Sequence, residues 1–123
     1  MPNSYHYGKH LIDNSDIKSV TNSLKGTLSQ GPLLSKLEKK ISQYFNVKYC
    51  LALNSATSAL HVAISSLNLK RNTKVFTSNM TFVATTNACL YNNLKPTLID
   101  IDYENFNFDI KQLEKKLKRE KKI

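Results

Sequence analysis

Glycine and proline are scarce, three of each in 123 residues, and cysteine is scarcer still at two. So little of either excludes a collagen-like repeat, and neither a Walker nor a G-x-G-x-x-G pattern is present to cradle a nucleotide. Cys50 and Cys89 stand in apolar surroundings without C-x-x-C spacing. They read as reduced, buried small hydrophobes rather than a redox or metal pair, and no metal site is expected. Uninterrupted apolar runs fall well short of the roughly 18 residues that a membrane span needs. The start, Met1-Pro2-Asn3-Ser4-Tyr5-His6, lacks the apolar stretch of a secretion signal. A cytoplasmic protein without a membrane segment is expected.

Acidic residues are also few, 9 against 18 Lys+Arg, for a net charge of +9. That balance raises the question of nucleic acid. The excess is spread along the chain, with one denser stretch at Lys115-Lys116-Leu117-Lys118-Arg119-Glu120-Lys121-Lys122. Only Arg71 and Arg119 are arginines, and no aromatic-rich basic stripe accompanies them, so specific base or stacking recognition is not expected. The lysine run reads as a solvated helix face.

What the sequence does have is alternation. An Asn14 or Ser15 cap opens a helix on Ile17, Val20 and Leu24 that stops at Gly26. Gly31-Pro32 starts a second, with Leu34, Leu37, Ile41, Tyr44 and Phe45 on one face and Lys36, Glu38, Lys39 and Lys40 on the other. Residues 49–53 read as a short buried strand, followed after Asn54-Ser55 by a helix on Leu60, Ala63, Ile64 and Leu67. The pattern then repeats: strand 74–77, turn, helix from Thr81 to about Tyr91 closed by Asn92-Asn93, strand 96–101. Asp109 and Gln112 resemble a capping box that opens a last helix on Ile110, Leu113 and Leu117. Such alternation predicts an α/β protein with a mainly parallel sheet. A helix without a following strand stops mid-unit, so a piece of a longer protein is expected.

The segment Asn54-Ser55-Ala56-Thr57-Ser58-Ala59-Leu60 lies between a strand and a helix. Helix N-termini offer unpaired N–H groups and a positive dipole end, and small hydroxyl residues let a phosphate reach both backbone and side-chain donors. A phosphate cup and a plain capping hydroxyl at Ser55 or Thr57 both fit this spacing. His61 reads as a packing or surface histidine. Asp100 and Asp102 share one side of a strand end, where solvation and capping are favoured over metal binding.

Several separated motifs then agree in order and spacing: Tyr7, Gly8-Lys9-His10, Leu28-Ser29-Gln30-Gly31-Pro32, Leu37-Glu38, the 54–60 segment, Phe82-Val83-Ala84-Thr85, Asn87-Ala88, Lys95-Pro96 and Asp100-Ile101-Asp102. Together they resemble the start of the DegT/StrS type of nucleotide-sugar aminotransferase. Within that family the resemblance is strongest to enzymes that aminate a UDP-4-keto-6-deoxy-N-acetylhexosamine on the route to pseudaminic acid. It implies the N-terminal part of the large domain of a fold type I enzyme, a three-layer α/β/α arrangement. The whole of residues 1–123 would be a partial cofactor-binding domain, with a helical arm at about 1–45.

The resemblance further implies pyridoxal 5'-phosphate as cofactor, a homodimer, and transfer of an amino group, usually from glutamate, to the C4 ketone of a nucleotide sugar. Carried over residue by residue, Ala56 and Thr57 match the phosphate cup, and Phe82 matches the aromatic that stacks on the pyridine ring. Tyr7 and the loop of Gly26, Thr27, Leu28 and Ser29 match a region lining the sugar-nucleotide pocket near the dimer interface. The family's Schiff-base lysine, its acidic partner for the ring nitrogen and a further phosphate-binding serine lie downstream of the matched region. No catalytic residue is therefore expected among these 123, and the chain alone is expected to be inactive. The three strands would be the two ends of a sheet without its middle, which predicts an aggregation-prone chain. Two other functions fit the residues: a small α/β module that holds a phosphorylated ligand without catalysis, and a basic nucleic-acid binder acting through the 111–122 helix.

Overall fold

Asp13, rather than Asn14 or Ser15, opens the first helix. Its carboxylate accepts from the amides of Ser15 (2.7 Å) and Asp16 (3.0 Å), while the Asp16 carboxylate takes the Asp13 N–H, so a reciprocal capping box starts α1 (Asn14–Ser23). The carboxylate prevails over the neighbouring amide and hydroxyl as a cap because it is a charged acceptor at the positive end of the helix dipole. The computed structural model describes residues 8–29 and 31–120. Its contacts group the chain into two compact units, Met1–Ala52 and Leu53–Ile123.

In the first unit, Gly31-Pro32 opens α2 (Pro32–Tyr44) as the sequence predicts, with proline at the position whose amide has no helical partner. Glu38 departs from expectation. It is half-buried, and its carboxylate accepts the backbone N–H of Ala52 at 2.9 Å. The strand predicted at 49–53 is not formed: these residues make no ladder, and a side chain satisfies the Ala52 amide instead. A strand exists only with a partner, and among the described residues none runs beside this one.

The second unit is a β-α-β unit with a helix on either side in sequence. After α3 (Ala56–Ser66), β1 (Lys74–Ser78) pairs in parallel with β2 (Lys95–Ile99), and α4 (Val83–Tyr91) makes the crossover. The predicted strand 96–101 thus ends two residues early. Ile101 instead bridges Phe108 across a turn, because the 102–107 loop folds back on it. Helix α4 begins at Val83 rather than Thr81, with Phe82 as its cap. The core sits at this crossover: Ile99 (0% exposed), Cys89 and Ala88 (1% each), with Ala84 and Leu94 beside them. Alanines on the inner face of α4 let helix and sheet approach closely.

Asparagine takes the positions that glycine is too scarce to fill. Asn46, Asn68 and Asn93, with φ of 51°, 48° and 57°, follow the caps of α2, α3 and α4 in the left-handed region. At α4 the motif is complete: Asn93 N–H donates to Leu90 C=O (2.9 Å) and Leu94 N–H to Cys89 C=O (3.0 Å), turning the chain into β2 and burying Leu94.

Helix α5 (Ile110–Glu120) is held to the sheet by polar ties. Asp109 caps it by accepting the Gln112 N–H (3.0 Å). The Gln112 side chain, predicted to complete a box with Asp109, bonds Asp100 instead. The Lys116 ammonium donates to Leu98 C=O (2.6 Å) and Lys74 pairs with Glu120 (2.5 Å). The lysine run therefore divides: Lys116 is half-buried against β2, while Lys111, Lys115, Lys118 and Arg119 face solvent.

Candidate functional site

Two segments of the second unit carry the residues matched to a cofactor. The first is the start of α3. Ser55 caps it, its hydroxyl accepting the Ser58 N–H (3.1 Å) and lying 3.0 Å from the Ser58 hydroxyl. The capping role weighed for Ser55 is therefore real. It leaves the amides of Ala56 and Thr57, in the first turn, without an intrahelical acceptor. Thr57 is exposed and brings a third hydroxyl to the same turn. Backbone donors, hydroxyls and the positive end of the helix dipole together suit an anion.

The second segment is the loop from β1 to α4. Phe82 stands at the cap of α4 and is 74% exposed, outside the core. Its carbonyl accepts the Thr85 N–H (3.0 Å), and the Thr81 and Thr85 hydroxyls bond at 2.8 Å. The rear half of α3 lies against the end of α4: the His61 and Tyr91 rings are 5.4 Å apart, and Ile64, Asn68, Asn92 and Leu94 line a hollow of about 210 Å³. As the crossover between parallel strands, α4 starts at their carboxyl end, where open α/β sheets hold ligands. His61 packs as a surface histidine on that seam.

Asp100 and Asp102 separate in role. Asp100 accepts the Asn79 amide N–H on one oxygen and the Gln112 amide N–H on the other, both at 2.6 Å. Asp102 accepts the Glu104 N–H (2.8 Å) within its own turn. Among the described residues no group of three His, Cys, Asp or Glu could hold a metal ion. Burial pushes the Cys89 thiol above its ordinary range, and its sulfur donates to Thr85 C=O; Cys50 is half-buried, and both thiols are free. No described helix is long and apolar enough to cross a membrane.

The loop of Gly26, Thr27, Leu28 and Ser29 belongs to the first unit, where it is exposed and follows the end of α1. Thr27 and Leu28, with Ser23, Gly31, Leu33 and Leu34, line a hollow of about 240 Å³. Tyr7 lies outside the described residues. The clamp of Asn79, Asp100 and Gln112 is what sequence reasoning missed. Two acidic residues on one side of a strand end were its only signal.

Three comparisons bear on this arrangement. A sequence profile of the DegT/DnrJ/EryC1/StrS aminotransferase family matches residues 10–123. A UDP-4-amino-4,6-dideoxy-N-acetyl-beta-L-altrosamine transaminase of Campylobacter jejuni is 41% identical over 112 residues, 90% of this chain and 29% of that protein. The spore coat polysaccharide biosynthesis protein SpsC of Bacillus subtilis is 34% identical over 109 residues, 88% of this chain and 28% of that one. Among solved structures, NtdA of Bacillus subtilis with bound cofactor PMP superposes with a TM-score of 0.77 at 29% identity, over 85% of this chain and 25% of that one. The fold is that of the fold type I pyridoxal-phosphate enzymes, α/β with a parallel sheet. The chain spans less than a third of the length of each of these relatives.

Proposed function

Because the chain belongs to the DegT/DnrJ/EryC1/StrS aminotransferase family, we propose that it forms the N-terminal, cofactor-binding part of a sugar aminotransferase that uses pyridoxal 5'-phosphate. One observation carries the assignment: α3 opens on a turn with free amides, Phe82 caps α4 with its ring uncovered, and the two helices pack together in one unit. The amides of Ala56 and Thr57 and the hydroxyls of Ser55 and Ser58 would hold the phosphate, and Phe82 would cover one face of the pyridine ring. Holding phosphate and ring at two points fixes the ring plane, which directs proton transfer to a single face. The cofactor itself supplies the electron sink for amino transfer. The lysine that binds it covalently is assigned to residues outside this sequence, because none of the sixteen lysines here stands in the family's context for it. The 123 residues alone would then bind but not turn over.

The acceptor we assign is the C4 ketone of a UDP-4-keto-6-deoxy-N-acetylhexosamine, with glutamate as amino donor, in a cytoplasmic homodimer of the pseudaminic acid route. The activity named for the 41% identical Campylobacter relative supports that substrate class. The hollow at Thr27 and Leu28 suits the Gly26, Thr27, Leu28 and Ser29 loop as a wall of the sugar-nucleotide pocket. Tyr7 joins it on the resemblance alone.

Pyridoxamine 5'-phosphate tests the cofactor reading without forming adducts on surface lysines. Titrated into the ¹⁵N-labelled chain, it should shift the amides of Ala56, Thr57 and Phe82, and pyridoxamine lacking the phosphate should bind far more weakly. Equal binding of the two amines would refute the phosphate cup. Inorganic phosphate that binds as tightly as the cofactor, with Phe82 unmoved, would leave a phospholigand module and overturn the aminotransferase role.

A further inference from the structure

We propose that Asp100 is a positioning residue for Phe82, a role that rests on the reading of Phe82 as the ring-facing aromatic. The segment that carries this ring has no apolar anchor. Met80 is 60% exposed and Phe82 is 74% exposed, while Thr81 and Val83 are also open to solvent. Packing therefore does not fix it; within it the Met80 N–H bonds the Ser78 hydroxyl (3.1 Å) and the Thr81 hydroxyl bonds that of Thr85 (2.8 Å), and its two ends carry the rest. The rear end is α4, held by buried Ala84, Ala88 and Cys89.

The front end is Asn79. Its N–H donates to Ile99 C=O (2.9 Å) and its side-chain amide to the Asp100 carboxylate (2.6 Å). Asp100 is exposed, but each of its own polar groups is bonded. Its second carboxylate oxygen accepts from the Gln112 amide (2.6 Å), its N–H donates to the Gln112 side-chain oxygen (2.9 Å), and its C=O accepts the Asp109 N–H (2.9 Å). A loop with one gripped residue three positions before the ring thus hangs from a carboxylate braced by α5. Charge-assisted bonds of this length are among the stronger ones a loop can make.

The chemistry at position 100 is specific. Both side chains facing the carboxylate present N–H₂ groups, and Gln112 cannot turn over because its oxygen already takes the Asp100 N–H. An asparagine at 100 removes the charge and sets an N–H₂ toward Asn79, which can meet it only by turning over its own amide into a weaker neutral bond. Exchanging the residues at 79 and 100 restores a donor opposite an acceptor: the carboxylate now at 79 would accept from the amide now at 100, whose oxygen still receives Gln112.

Since the chain has no tryptophan, Phe82→Trp places a single fluorescent reporter at the ring. In that background, Asp100→Asn should increase the fast local component of the indole's anisotropy decay, and Asn79→Asp combined with Asp100→Asn should return it to the parent value. Asn79→Ala, which leaves the bracing by Gln112 in place, should loosen the reporter as Asp100→Asn does. In chains that retain Phe82, pyridoxamine 5'-phosphate should bind about threefold to tenfold more weakly to Asp100→Asn, because the loop must then be ordered on binding, and the exchange should restore it. A lowered melting temperature with unchanged motion of the reporter would reduce Asp100 to a plain stabiliser and overturn the proposal. So would failure of the exchange to restore the motion. If the parent chain does not bind the phosphate ester at all, the cofactor reading fails, and the anisotropy still decides the role of Asp100.

Discussion

Ser55 has two duties that one substitution can separate. As cap it accepts the Ser58 N–H, and in the proposed cup its hydroxyl stands beside the phosphate. Ser55→Ala removes both and should lower stability by about 1 kcal/mol, the usual worth of an N-cap hydroxyl. Ser55→Asp keeps the cap, since aspartate caps as well as serine, but sets a negative charge on the anion site. A phosphate ester carries about −1.5 to −2 charges at neutral pH. At about 5 Å in bulk-water dielectric the repulsion comes to about 1.5 kcal/mol, and a drier site enlarges it. That corresponds to a loss of about tenfold in affinity or more. Urea unfolding and an NMR titration with pyridoxamine 5'-phosphate should therefore give a Ser55→Asp chain as stable as the parent that binds at least tenfold more weakly. Undiminished binding by Ser55→Asp would show that the phosphate does not sit at the start of α3.

Other expectations rest on single contacts. A Cβ on Gly31 would strike the Thr27 carbonyl oxygen and lie 3.2 Å from Thr27 Cβ, so Gly31→Ala should destabilise the first unit by about 1–3 kcal/mol, measured by hydrogen exchange of α2; a neutral result would contradict the packing described. Cys50 should react with a thiol reagent well before Cys89, which is 1% exposed, as peptide mapping would show. Because burial raises the Cys89 thiol pKa above its ordinary 9.0, its contribution to stability is complete below that value and is lost as pH rises through the folded value; Cys89→Ala should flatten that alkaline decline in thermal melts. The Asp13 carboxyl is held below its ordinary 3.8 by the Ser15 hydroxyl first and then by the Asp16 and Ser15 amides. Its support of α1 is therefore present above that value and lost as pH falls through the folded value, and Asp13→Asn should abolish this dependence in the amide shifts of Ser15 and Asp16.

Local signals in the sequence carried far where one residue decides the outcome. The order strand, helix, strand over 74–101 is legible from alternation alone, as are the Gly31-Pro32 start of α2 and the Asn92-Asn93 stop of α4. Failures cluster where the partner is distant. Residues 49–53 have a strand's composition, but a strand is a relation between two segments, and the Ala52 amide turns to Glu38. Gln112 has the spacing of a capping box, yet its oxygen takes the Asp100 N–H and its N–H₂ the Asp100 carboxylate, while the Asp109 N–H goes to Asp100 C=O. The phosphate cup was visible as chemistry but undecided between cap and cup, since a cap leaves the two preceding amides open in either case.

The register of the sheet also fixes an order of events. Every pairing, from Lys74 with Lys95 to Ser78 with Ile99, joins residues twenty-one positions apart, with α4 filling the interval. Closing that loop costs little more entropy than forming the helix it contains, so β1, α4 and β2 can assemble as soon as residue 99 is available. The Lys74 to Glu120 tie spans forty-six positions and must come later. During synthesis the ring-bearing loop would thus be shaped first, and its brace on α5 would lock it only when that helix arrives.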